Sequence, residues 1–217
     1  MQSRAAWKNV ASSANQMRSD MKKDFNPKTG ITNIDFDKLE KLRQTLNEAS
    51  ASSTGDEAVF AKSLTGFMDR MQFAARNYHE AATKLREARV LYNFDSSNKE
   101  MFTPRREIVH QFLDSNVALE KVITNAEDQI RADLTEAHTR PSKIDSLLSG
   151  YHASSGFQTS VTMKIRQCDD QYGAALLDVF DVLETNWGHW DADPTVDKIR
   201  FKDHATLEPY NKDLTQI

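Results

Sequence analysis

Apolar residues recur at alternating four- and three-residue steps through the first half of the chain. Steps that average about 3.5 residues are typical of a helix that packs along its length against other helices, not of a helix lying on a sheet. The pattern predicts a helix over about residues 57–94. Its apolar positions are Phe60, Leu64, Phe67, Met71, Ala74, Tyr78, Ala81, Leu85, Ala88 and Tyr92.

Two further stripes of the same kind follow. The first predicts a helix over about 103–138, with Val109, Phe112, Asn116, Leu119, Ile123, Ala126 and Ile130 on its apolar face. The second predicts a helix over 141–187, with Ile144, Leu147, Tyr151, Ser154, Gln158, Val161, Ile165, Cys168, Tyr172, Ala175, Val179 and Val182 on that face. Because only Arg140-Pro141-Ser142 separates these helices, we expect them to be antiparallel neighbours. We therefore predict an all-α fold: residues 31–188 form an elongated antiparallel helical bundle with coiled-coil packing, built on three long helices.

The N-terminal segment, residues 1–30, has an amphipathic helical pattern of its own. Its apolar positions are Trp7, Val10, Ala14, Met17 and Met21. Six Lys or Arg residues stand against two Asp residues in this segment, and such helices lie in the interface of anionic membranes. The alternative is that the apolar face packs on the bundle as another core helix. On the first interpretation, the membrane-binding residues here are Arg4, Trp7, Lys8, Arg18, Lys22 and Lys23.

Composition and charge narrow the function classes. The 217 residues carry a formal net charge of −4, so the basic face of a nucleic-acid-binding protein is not expected. No apolar run approaches the roughly 18 residues that span a bilayer, and the single cysteine, Cys168, excludes an internal disulfide framework. We expect a cytoplasmic location or a peripheral position on a membrane. Residues 189–217 read as an irregular C-terminal tail.

The motifs that could carry chemistry are weak. Glu107 and His110 form one Glu-x-x-His pair, whereas di-iron bundles use two such pairs and two more glutamates. Asp169 and Asp170 read as a solvated face, and Cys168 as a small apolar residue of the helix seam. We predict no catalytic residue, no metal and no cofactor.

Two sequence features leave alternatives open. Asn116 occupies a seam position, where a polar residue often fixes helix register or oligomeric state, or else it lies at the edge of the seam. The segment from Trp187 to Asp193 concentrates aromatic and acidic residues, which either cap the end of the core or line a small site.

The long helices, with the amphipathic segment before them, resemble BAR domains over about residues 57–188. The local resemblance is to the first long helix of the amphiphysin type. It rests on Leu64-Thr65-Gly66-Phe67, followed by Met71, Ala81, Leu85 and Glu87. It implies a crescent-shaped homodimer that binds and bends anionic membranes, with Arg105 and Arg106 near a tip and the N-terminal cations facing the lipid.

Two functions are consistent with these patterns. The first is a non-catalytic helical scaffold that binds an anionic membrane surface as a BAR-like homodimer. The second is a helical protein–protein interaction module, such as an adaptor or a secreted effector, without a membrane role.

Overall fold

A computed structural model describes residues 2–24, 36–193 and 198–202, together with 207, 208, 210, 211 and 215. At residues 2, 17, 18, 21–24 and 153–159 it describes the backbone alone. The described residues are mostly α-helical, in agreement with the all-α prediction. The helices are α1 (Gln2–Asp24), α2 (Phe36–Ser52), α3 (Asp56–Ala88), α4 (Phe102–Thr124), α5 (Ala126–Glu136) and α6 (Pro141–Thr185), and one turn of 3-10 helix, Lys99–Met101, precedes α4.

Helix α3 ends earlier than its apolar pattern predicts. It stops at Ala88 because Arg89 takes a left-handed conformation with φ of 44°, which closes a helix by turning the chain away from its axis. The chain then buries Val90 and Phe94, at 4% and 8% exposure. Tyr92, expected in the seam, is 44% exposed.

The helix predicted over 103–138 is divided at one residue. Asn125 separates α4 from α5, although helical hydrogen bonds still reach Asn125 from both sides. The apolar stripe therefore continues across the break, and the whole set from Val109 to Ile130 lies inward. After α5, His138 with φ of 59° and the hydrogen bond from Thr139 N to Leu134 O close the helix.

The predicted seam of α6 is wrong in the stretch from Val161 to Cys168. Val161 is 44% exposed and Cys168 is exposed, whereas Arg166 is 6% exposed. The helix is rotated because two features favour another face. One is a set of buried hydrogen bonds at Arg166, and the other is the side chain of Leu113, which lies directly over the backbone of Gly173.

The chain divides into two compact units. Unit 1 comprises residues 1–73 and 121–157, and unit 2 comprises residues 74–120 and 158–217. Unit 1 contains two apolar clusters. One is centred on Phe60, Ile130, Leu134, Ile144 and Leu148, and the other on Leu42, Leu46 and Met68. Unit 2 has a cluster in which α3, α4 and α6 contribute, among others, Leu85, Val109, Phe112, Leu176, Val179, Phe180 and Leu183.

The segment expected to be an irregular tail contains a small antiparallel sheet. Strand β1 (Trp190–Asp193) pairs with β2 (Lys198–Phe201), with Trp190 opposite Phe201. Trp190 is 1% exposed, and its indole Nε1 donates a hydrogen bond of 2.7 Å to the carbonyl of Leu183. The capping interpretation of the aromatic segment is therefore confirmed, because Trp190 belongs to the core of unit 2.

Candidate functional site

The apolar face of α1 packs against other residues of unit 1. The indole of Trp7 stacks on the ring of Phe60, with 5.7 Å between centroids and 21° between planes. Val10 and Ala14 lie against the cluster of Leu42, Leu46 and Met68. Trp7, Val10 and Ala14 are thus engaged in intramolecular packing, whereas the side chains of Met17 and Met21 lie outside the described residues.

Helix α1 also carries exposed positive charge. Arg4 and Lys8 are exposed. The helix is also tied to its neighbours by polar contacts, such as Ser3 Oγ to Glu57 Oε2 at 3.1 Å and Lys38 Nζ to Asp20 Oδ2 at 3.3 Å. The side chains of Arg18, Lys22 and Lys23 lie outside the described residues.

Arg105, a predicted lipid-facing residue, holds the loop between α3 and α4. Its guanidinium donates hydrogen bonds to the carbonyls of Val90, Tyr92 (2.9 Å) and Asn93 (3.1 Å). The guanidinium carbon also lies 4.7 Å from the centroid of the Phe94 ring. Because a loop has no helical partners for its carbonyls, these bonds satisfy acceptors that would otherwise need water.

Arg106 is engaged on the neighbouring helix. Its Nη2 lies 2.6 Å from Asp181 Oδ1 and 3.0 Å from Glu184 Oε2, and its guanidinium carbon lies 5.8 Å from the centroid of Phe180. Both predicted tip cations therefore make contacts within unit 2.

A buried polar network joins α3 and α6 in unit 2. The hydroxyl of Tyr78 donates to Asp169 Oδ2 at 2.9 Å, and Arg166 Nη2 lies 2.9 Å from the same oxygen. The guanidinium of Arg166 covers the Tyr78 ring at 4.0 Å. Burial raises the pKa of Tyr78 to about 12 and raises that of Asp169.

Asn116 extends this network to α4. It is fully buried, and its Nδ2 donates to the carbonyl of Arg166 at 2.9 Å and to Asp170 Oδ1 at 2.7 Å. Asn116 therefore lies inside the seam and not at its edge, and its role in fixing register or oligomeric state stays a prediction. Asp169 and Asp170, predicted to form a solvated face, are both hydrogen-bonded within unit 2.

The network contains groups with incomplete hydrogen bonding. Asn116 Oδ1 and the Nε and Nη1 atoms of Arg166 are buried without a hydrogen-bond partner among the described residues. Unsatisfied buried polar atoms are costly, and a concentration of them with pKa-shifted residues is a physical indication of a site. The sequence signal for it was Asn116 alone, since an arginine between two apolar stripes looks like a surface residue.

The remaining candidates stay apart. Glu107 and His110 are both exposed. In the described part of the chain, no three His, Cys, Asp or Glu side chains gather as a metal site would need. Nor does any described helix have the length and apolar character to cross a bilayer.

Comparison with known proteins gives no assignment. No protein-family model, curated protein or solved structure matches this chain. Functional interpretation therefore rests on the contacts described above.

Proposed function

We propose that this chain is a non-catalytic helical scaffold that acts through protein–protein contacts. The observation that carries the proposal is the docking of α1. Trp7, Val10 and Ala14 are committed to unit 1, so membrane binding by insertion would first have to break these contacts. A protein partner can use the exposed faces of the helices without that cost.

Phe73 is the anchor that we assign to such a contact. It lies within α3, and 69% of it is exposed. Aromatic side chains are enriched among the few residues that dominate binding energy at interfaces. The partner we propose is a second copy of the chain.

The test is the oligomeric state of wild type and of Phe73→Ser by light scattering after size exclusion. We expect a dimer for wild type, with dissociation favoured in the variant. Val161→Ser is the matched control, because it removes another exposed apolar side chain from a different helix. Wild type that stays monomeric at every concentration contradicts the dimer, and equal effects of both variants contradict the role of Phe73.

The second candidate is the BAR-like scaffold on an anionic membrane, and it is favoured by the exposure of Arg4 and Lys8 on the outer face of α1. Cosedimentation with anionic and neutral vesicles separates the two functions. Wild type should pellet with anionic vesicles only if the second function holds, and Arg4→Glu with Lys8→Glu should then abolish pelleting. Lys62→Glu, an exposed cation on α3, is the control for a general loss of positive charge.

Both proposed functions include an elongated helical bundle with coiled-coil packing. A solution scattering profile with a maximum dimension well beyond that of a sphere of equal mass supports them. A compact profile contradicts the scaffold geometry.

A further inference from the structure

An open cleft of about 460 Å³ lies within unit 2. Its apolar wall comes from α3, the loop after it and α4, and consists of Ala82, Leu85, Val90, Leu91 and Phe112. Binding sites for small molecules are mostly apolar depressions of about 300–1,000 Å³ with a few polar groups that orient the ligand. The cleft has the size of such a site, and its lining combines apolar side chains with charged side chains and tyrosines.

Two guanidinium groups line one part of the cleft. Arg86 and Arg89 are exposed and lie three residues apart, at the end of α3 and just after it. Within the described part of the chain neither has a carboxylate partner: Arg86 contacts the hydroxyl of Thr83 at 3.5 Å, and Arg89 lies 4.4 Å from the ring centroid of Tyr92. Guanidinium groups match the oxygens of phosphate in charge and geometry.

The cleft also presents free oxygen atoms. Asp169 uses Oδ2 for Tyr78 and Arg166, while its Oδ1 receives no hydrogen bond from the described residues. The hydroxyl of Tyr172 has no hydrogen-bond partner in that part of the chain either. Burial and the neighbouring Tyr92 raise the pKa of Tyr172, so at neutral pH this hydroxyl is protonated and able to donate or accept.

The tyrosine rings that line the cleft are less available to a ligand for stacking than these oxygen atoms are for hydrogen bonding. Arg166 covers one face of Tyr78 at 4.0 Å, and Arg89 covers one face of Tyr92 at 4.4 Å. The ring of Tyr172 meets Phe112 edge to face, with 6.3 Å between centroids. A ligand rich in hydroxyl groups therefore fits the open groups better than a flat aromatic ligand that needs to stack.

We propose that this cleft binds a phosphorylated sugar. The phosphate lies between Arg86 and Arg89, and sugar hydroxyl groups bond to Asp169 Oδ1 and the Tyr172 hydroxyl. The C–H surface of the sugar packs on Ala82 and Leu91, which line the cleft and are only partly buried. This site is independent of the proposed protein contact, since Phe73 does not line it.

Isothermal titration of the full chain with three probes tests the proposal: a hexose 6-phosphate, the same hexose without phosphate, and inorganic phosphate. The sugar phosphate should bind more tightly than either of the others. Arg86→Gln should weaken its binding by about tenfold or more, because a hydrogen bond to a charged group is lost. Lys62→Gln, an exposed cation of unit 1, should leave the affinity unchanged.

A second variant tests the sugar contacts. Asp169→Asn should reduce the preference for hexose phosphate over inorganic phosphate without weakening phosphate binding. Asp169 is also part of the buried network, so its substitution can affect folding. Tyr172→Phe removes only a hydroxyl group and should likewise reduce the preference for hexose phosphate over inorganic phosphate. The proposal is overturned if the sugar phosphate binds no better than inorganic phosphate, or if Arg86→Gln and Lys62→Gln have equal effects.

Discussion

The close approach of α4 to α6 at Gly173 leads to a sharp prediction, because one substitution should have opposite effects at two positions of α6. A Cβ atom at Gly173 would lie 2.5 Å from Leu113 Cδ2 and 2.7 Å from its Cγ. Since Cγ is close to the backbone, a rotation of the methyl groups alone cannot relieve the contact. At Gly150, a Cβ atom meets nothing within 4 Å.

The expected magnitudes follow from two opposing effects. Replacing glycine by alanine inside a helix stabilises a protein by about 1 kcal/mol. Gly150→Ala should therefore raise the free energy of unfolding by about that amount. Overpacking costs about 1–3 kcal/mol, so Gly173→Ala should give a net loss of about 1 kcal/mol.

Denaturant unfolding monitored by circular dichroism measures both variants. The double variant Gly173→Ala with Leu113→Ala should be more stable than the sum of the single effects allows, because the smaller side chain makes room for the new methyl group. If Gly173→Ala stabilises the chain as much as Gly150→Ala does, the close packing of α4 on α6 at this level is refuted.

Three further predictions concern α1, the α3–α4 loop and the buried tyrosine. Trp7→Ala should lower the free energy of unfolding by about 2 kcal/mol, since a half-buried indole on Phe60 is lost; unchanged denaturant unfolding would show that α1 does not dock. Arg105→Lys keeps the charge but cannot reach three carbonyls together, so we expect a loss of about 1–3 kcal/mol by thermal unfolding, and stability equal to wild type would contradict the clamp. Because the pKa of Tyr78 is about 12 in the folded chain and 10.0 ordinarily, the unfolded chain loses this proton first, and the free energy of unfolding should fall as pH rises from 10 to 12. Absorbance titration of the folded chain should show one tyrosine that ionises near pH 12, and this step should be absent in Tyr78→Phe.

The fold was most predictable where apolar spacing and burial coincide. On α4 and α5, residues such as Val109, Phe112 and Ile130 are 0–3% exposed, and their spacing alone identified them. On α2 the apolar residues Leu42, Leu46 and Ala49, which are four and three residues apart, are buried as well. In both cases the interior face is apolar, which is the signal that periodicity detects.

Periodicity failed where polar residues or the backbone determine the packing. Arg166 lies on the interior side of α6 because its guanidinium finds Tyr78 and Asp169 there, and a hydropathy pattern assigns an arginine to the surface. Gly173 lies on the interior side of α6 because Leu113 approaches its backbone too closely for a side chain. A pattern of apolar side chains does not identify a glycine at such a position. The early end of α3 depends on the left-handed conformation of Arg89. A glycine at this position would have predicted the end of the helix, but an arginine does not.

The candidate site was predictable only in outline. The apolar spacing of α1 includes Trp7, and it allows either docking of this face on the bundle or insertion into a membrane. The engagement of Arg105 and Arg106 requires loop carbonyls and carboxylates that are distant in sequence, such as Asp181. The cleft depends on the turn after α3 and on the rotation of α6, and neither is encoded in the apolar spacing.

The division of the chain into two interleaved units has a consequence for the order of its biogenesis. The last stretch of unit 1 ends at residue 157, whereas the core of unit 2 includes Trp190. During synthesis, all of unit 1 leaves the ribosome before unit 2 has its final helix and hairpin. Unit 1 can therefore fold vectorially, while residues 74–120 must wait with Phe102 and Phe112 uncovered until α6 and Trp190 emerge. A chain truncated before Trp190 should keep the core of unit 1 and lose that of unit 2.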